Sequence, residues 1–161
     1  MNIKSKSGLA KQIQIILLIL TTLVFFYGFP IAKEAGEERK IQKAAEKIEL
    51  IVTDKINESK SYRSLEYDLL CTIKNDSDVT FDAISGIFKI MDLDGNVLSE
   101  GEAKFSGDLE GKSEKKYKLT WTSEITDKNM KAFESDFSNL KFSYEIKEIT
   151  YNGFETVEIK K

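Results

Sequence analysis

A mainly β, antiparallel sandwich carried behind one N-terminal membrane helix is the fold this sequence predicts. Three observations predict it. An apolar run fills Ile13 to Ala32, just past Lys11. After residue 48, short stretches alternate apolar and polar side chains. Asp-Gly and Asn-Gly pairs punctuate those stretches where strands would reverse.

The run at 13–32 holds thirteen Ile, Leu, Val or Phe residues, broken only by Gln14, Thr21, Thr22, Gly28 and Pro30. As a helix rising about 1.5 Å per residue, it is about 30 Å long, the thickness of a bilayer's hydrocarbon core. At about −0.3 to −0.6 kcal/mol each, those side chains favour insertion by about −4 to −8 kcal/mol before polar penalties. Lys4, Lys6 and Lys11 give residues 1–12 a basic start. A secretory signal begins the same way but ends in a small-x-small cleavage site. Here the third position back is Pro30 for a cut after Ala32, Lys33 after Ala35 and Glu34 after Gly36. The preferred reading is an uncleaved, single-pass signal anchor with the lipid bilayer as partner of residues 13–32; a cleaved signal is the alternative. Basic residues nearly tie across the two flanks, but Glu34, Glu37 and Glu38 dilute the trailing side. Net charge therefore favours the amino end on the cytoplasmic side, with the carboxyl domain carried across the membrane.

Residues 33–47 are rich in Ala, Glu, Lys, Gln and Arg, all good helix formers. Ile41, Ala44, Ala45 and Ile48 recur at steps of three and four. A juxtamembrane helical stalk accounts for this. A coiled-coil seam needs about three or four heptads and finds barely two, while a helix docked on the domain is the third possibility.

The domain proper is 48–161. Glu49 to Thr53 suits a strand, and Asn57 to Ser64 reads as a polar loop. In Leu65 to Ile73 the residues Leu65, Tyr67, Leu69, Cys71 and Ile73 share one face, with Asn75 to Asp78 as a turn. Ala83 to Leu93 follows, with Ile84, Gly86, Phe88 and Ile90 together and Ile87, Met91 and Leu93 opposite. Asp94-Gly95 predicts a tight primed hairpin, Val97 to Phe105 the return strand, and Gly101 a bulge. Gly107 to Glu114 reads as loop. Lys115 to Trp121 turns Tyr117, Leu119 and Trp121 inward. Thr126 to Leu140 is partly helical, with Met130, Phe133 and Phe137 on one face. In Lys141 to Tyr151 the phase slips at Lys147-Glu148, the mark of a bulge. Asn152-Gly153 is a hairpin turn, and Val157 and Ile159 close a last strand. About seven short strands with regular turns favour an immunoglobulin-like antiparallel sandwich.

Three segments carry a resemblance: Cys71 to Asp78, Ala83 to Gly95, and Leu140 to Gly153. Together they are similar to small bacterial envelope β-sandwich domains, the FxLyD-like and related uncharacterised families. The shared pattern is a strand ending in Asn plus a polar pair, a strand entered by a small residue and Gly, an Asp-x-x-Gly hairpin, and a closing strand into a Gly turn. The likeness covers about 48–155. It implies a secreted or membrane-tethered domain, here one anchored in a bacterial cytoplasmic membrane with its carboxyl domain periplasmic or extracellular, and brings no catalytic residues. One departure is Asp94 directly before Gly95, where those families often place an aromatic or aliphatic residue; it leaves the hairpin intact.

Composition narrows the chemistry. Basic residues number 24 and acidic ones 27, for a net charge of −3, which is no nucleic-acid footprint. Histidine is absent, which removes the commonest general base and metal ligand. Cys71 is alone, so no intrachain disulfide can form, and on an inward strand face it reads as a small hydrophobe. Asp92, Asp94 and Asn96 invite a calcium reading, but Gly95 stands fourth where an EF-hand needs it sixth. Lys112, Lys115, Lys116 and Lys118, interrupted by Glu114, read as a solvated strand face or edge guard. Asn57-Glu-Ser and Asn75-Asp-Ser match a glycosylation acceptor by chance. Tyr62, Tyr67, Tyr117, Trp121, Tyr144 and Tyr151 read mostly as core. Ser61-Tyr-Arg-Ser lacks a base for Ser catalysis. The sequence thus predicts no catalytic, cofactor-binding or metal residues. It predicts a non-enzymatic interaction module that binds another envelope protein through a sheet face or edge, with a ligand- or cell-wall-polymer-binding module as the alternative.

Overall fold

A computed structural model describes residues 29–153 and 155–160. The expected cytoplasmic tail at 1–12, and the expected membrane span at 13–32 up to residue 28, lie outside the described residues. Among those described, no helix is long and apolar enough to cross a membrane.

The described chain opens with α1, Phe29–Ala45, followed by seven strands. These are β1 (Ile48–Lys60), β2 (Ser64–Asn75), β3 (Phe81–Asp92), β4 (Val97–Leu109), β5 (Ser113–Glu124), β6 (Leu140–Tyr151) and β7 (Glu155–Glu158). A short helix α2, Asp127–Glu134, and a single 3-10 turn, Phe137–Asn139, sit between β5 and β6. The strands form two antiparallel sheets. One has the order β1-β2-β5 and the other β4-β3-β6-β7.

The two sheets share one core, and alternation builds it. Leu65, Tyr67, Leu69, Cys71 and Ile73 from β2 are buried, as are Ile84, Phe88 and Ile90 from β3. Burial of this kind contributes about 1.5–3 kcal/mol per large side chain, as an upper bound. Rings cross the interior: Phe88 meets Trp121 at 5.4 Å between centroids, and Phe105 meets Tyr117 at 5.3 Å. Both pairs join a strand of one sheet to a strand of the other. Ile41, Ala44 and Ala45 of α1 also belong to this core.

Several local expectations are corrected. The stretch 57–60 continues β1 rather than forming a loop, because its backbone finds partners on β2. Two irregularities absorb its polar residues. Thr53 is inserted between the pairs Val52–Cys71 and Asp54–Leu70, and Asn57 and Glu58 together oppose the single residue Tyr67. Asn57 takes a left-handed φ of 56° there, a conformation Asn tolerates better than most residues. Gly101 is no bulge. It pairs in register with Phe88, and the slips lie between Phe81 and Ala83 and between Ile90 and Met91. A side chain at 101 would meet the Trp121 ring, whose Cη2 lies 3.1 Å from an ideal Cβ position. The glycine therefore makes room for the indole.

The β3–β4 hairpin is not a two-residue primed turn. Gly95 donates to the Asp92 carbonyl at 3.0 Å, and only Gly95 among the loop residues has positive φ. That is a three-residue loop with a left-handed glycine at its end. Leu93 lies in this loop, exposed, rather than on a strand face. Phe137 falls outside α2, because the helix ends at Glu134 with Ser135 as its cap, and it stacks on Phe142 instead. The phase slip in β6 is present: Ser85 pairs with Glu148 and Gly86 with Ile146, leaving Lys147 as the extra residue. Asn152 and Gly153 both take positive φ, as an Asn-Gly turn requires.

Candidate interaction surface

Of the residues singled out in the sequence, most serve the fold. Cys71 is buried, its Sγ 3.7 Å from the Leu69 carbonyl, and desolvation pushes its thiol up to about 11. Asn75 is 0% exposed. Its amide donates to the carbonyls of Val79, Leu109 and Glu110, and its Oδ1 accepts from the Ser77 N–H and hydroxyl. An Asn so enclosed is closed to glycosylation in the folded chain. Asn57 is exposed but donates to Asp68 Oδ2 at 2.8 Å. Ser61 and Ser64 bond to each other across the β1–β2 turn.

Asp92 anchors its hairpin. Lys131 donates to Oδ2 at 2.8 Å, and the Asn96 N–H donates to Oδ1 at 2.9 Å. Lys131 first, then Asn96, hold this carboxyl well below the usual range. Among the described residues no group of three His, Cys, Asp or Glu is placed to hold a metal ion.

The basic run is dispersed by the strand geometry. Lys112 reaches the Asp76 carbonyl at 2.5 Å, Lys115 the Asp108 carbonyl at 3.2 Å, and Lys118 the Asp68 carboxylate at 3.1 Å. The aromatic set divides similarly. Tyr67, Trp121 and Tyr151 are buried, while Tyr117 and Tyr144 are half-buried and bond through their hydroxyls to the carbonyls of Gly107 and Ala103. Tyr62 alone stands out at 82% exposed, with the Arg63 guanidinium 4.8 Å from its ring centre.

Two networks on the three-stranded sheet were invisible in the sequence because their members lie far apart along the chain. Asp68, on the outward face of β2, accepts from Asn57 of β1 and from Lys118 and Thr120 of β5. The Asn57 bond, then those of Thr120 and Lys118, lower its carboxyl to about 2. Lys55 is 3% exposed at its side chain. Its Nζ donates to the carbonyls of Phe133 and Ser135 at 2.7 Å and of Ala132 at 3.2 Å, and pairs with Glu58 at 2.9 Å. These are carbonyls at the C-terminus of α2, where a cation is favoured.

What remains for recognition are sheet faces and edges. On the outer face of the four-stranded sheet, the Lys147 bulge leaves a concavity of about 500 Å³ lined by Ser85, Ile87, Glu102, Lys104, Lys147 and Glu148. Half-exposed Ile87 is its apolar centre, with charges of both signs around it. Beside the outer edge of β5, Leu119 to Glu124 line a second hollow of about 480 Å³ with Ser99, Gly101 and Asn129.

No family model matches this chain, and no curated protein matches it. The solved structure of Northeast Structural Genomics Consortium target SoR45 is similar with a TM-score of 0.41 at 13% identity, over 71% of this chain and 83% of that one.

Proposed function

We propose that this protein is a membrane-anchored, non-enzymatic interaction module of the bacterial envelope. Residues 13–32 hold it in the cytoplasmic membrane, and an immunoglobulin-like domain outside the cytoplasm binds another envelope protein. The strand order supports the immunoglobulin-like reading, since the connections β2–β3, β4–β5 and β5–β6 pass between a sheet of order β1-β2-β5 and one of order β4-β3-β6-β7. The apolar run supports the anchor. The resemblance to small envelope domains supports the compartment.

The observation that carries the binding mode is the placement of the aromatic side chains. A glycan or flat ligand is held by exposed rings, and here the rings of β2, β5 and β6 line the core. The surface offers strand edges and a mixed-charge concavity around Ile87, the features that dock proteins. The competing reading, a ligand- or cell-wall-polymer-binding module, has exposed Tyr62 and its Arg63 neighbour in its favour.

A photo-crosslinking residue at Ile87 in intact cells tests the proposal. The expected product is a covalent adduct with an envelope protein. Adducts with cytosolic proteins alone would refute the orientation. Retention on isolated cell-wall polymer that is lost on Tyr62→Ala would favour the competing module.

A further inference from the structure

The two sheets have four edge strands, and three of them are short or interrupted. β1 carries inserted Thr53 and the Asn57–Glu58 bulge. β4 has register slips at both ends of its pairing with β3. β7 has four residues. Only β5 is regular, pairing with β2 from Ser113 to Glu124 without a slip. Its other edge has no partner strand among the described residues. Every second residue of such an edge points its N–H and C=O outward. Lys115, Lys116 and Lys118 guard the first half of the strand. The second half, Leu119 to Glu124, holds no basic residue, carries two threonines and one tryptophan, and borders the hollow described above, with its last carbonyl, that of Glu124, capped by the Asn129 amide at 2.9 Å.

We infer that this edge pairs antiparallel with the same edge of a second copy, centred on Thr120, so that two three-stranded sheets become one six-stranded sheet. The register follows from charge. Centring on Thr120 sets Lys116 opposite Glu124 twice, once on each side of the two-fold axis. Both side chains are exposed, and neither has an ion-pair partner within its own chain among the described residues. The same register sets Leu119 against Trp121 on the inner face, and the aliphatic stem of Lys115 against exposed Ile125. Neighbouring registers are worse. Centring on Leu119 opposes Glu114 to Glu124, and centring on Lys118 opposes that lysine to itself. Centring on Trp121 sets Glu124 against Lys118, which is already bonded to Asp68. Like charges directly opposite each other repel and opposite charges attract, so one register stands out.

The test uses the full-length chain in detergent micelles. Thr120→Cys is oxidised, with the wild type as blank because Cys71 is buried. A disulfide-linked dimer is expected from Thr120→Cys and none from the wild type. Lys116→Glu should weaken the dimer about tenfold, because two pairs turn repulsive at once. Adding Glu124→Lys to the same chain should restore it. Circular dichroism checks that these surface variants fold. A chain that stays monomeric, a Thr120→Cys that fails to link, or a charge swap that fails to rescue overturns the inference. The outcome is separate from the envelope proposal. A dimer that captures no envelope protein leaves this pairing standing, and an envelope adduct on a monomer removes only this pairing.

Discussion

β1 and β5 flank the same strand, and they are built in opposite ways. β1 is interrupted twice and tied by Lys55 to the carbonyls ending α2. β5 runs through twelve residues in unbroken register and is held on its outer face by the bonds from Lys118 and Thr120 to Asp68. An edge can be closed by irregular backbone or by charge. β1 uses the first device at Thr53 and at Asn57–Glu58, and β5 uses the second over half of its length. The difference marks the second half of β5 as the part of this sheet left open for pairing.

Lys55 is the most sensitive point of β1. Lys55→Met leaves Glu58 and three carbonyls without their cation in a nearly closed site. A loss of about 2–4 kcal/mol is expected in thermal or urea unfolding, with β5 cross-linking at low temperature unchanged. On the β5 side, Gly101→Val drives a side chain into the Trp121 ring. The expected cost is about 1–3 kcal/mol. Trp121 is the sole tryptophan, so its emission should shift to the red as the 3.0 Å bond from Nε1 to Ser99 is lost. At the bulge itself, Asn57→Ala combines a lost bond to Asp68 with a left-handed φ that Ala resists, for about 1–2 kcal/mol. Asn57→Gly should cost less, and that ordering separates strain from the hydrogen bond.

The smallest effect is a slope. The Asp68 carboxyl is lowered to about 2 in the fold, against about 3.9 in an unfolded chain. Its contribution is complete above about pH 4 and is lost as pH falls toward the folded value. Asp68→Asn should flatten that stretch of the acid-unfolding curve while leaving the neutral-pH slope unchanged.

Much of this was legible in the sequence, for a physical reason. Leu65 to Ile73 alternates without a break, so its burial could be read directly. Lys147 betrayed its bulge because the apolar phase slips there. Local φ demands exposed Asn152-Gly153. The failures were of another kind. Asn57 to Lys60 looks like a loop because nothing local favours a strand, and its ladder is supplied by β2. Gly101 looks like a bulge because its true reason, an indole twenty residues away, is not local. Asn75 and Lys55 are polar side chains buried by long-range partners, and periodicity assigns polar residues to the outside. The concavity at Ile87 needs three strands at once, so no single segment announces it.

The most direct measurement is hydrogen exchange of the β5 amides at two concentrations of the full-length chain. In dilute solution the outward amides between Leu119 and Glu124 should exchange quickly while the alternate ones, bonded to β2, stay protected. On concentration the fast set should become protected, and β1 should not change. A β5 whose amides are all protected when dilute, or whose fast amides ignore concentration, would contradict the open edge.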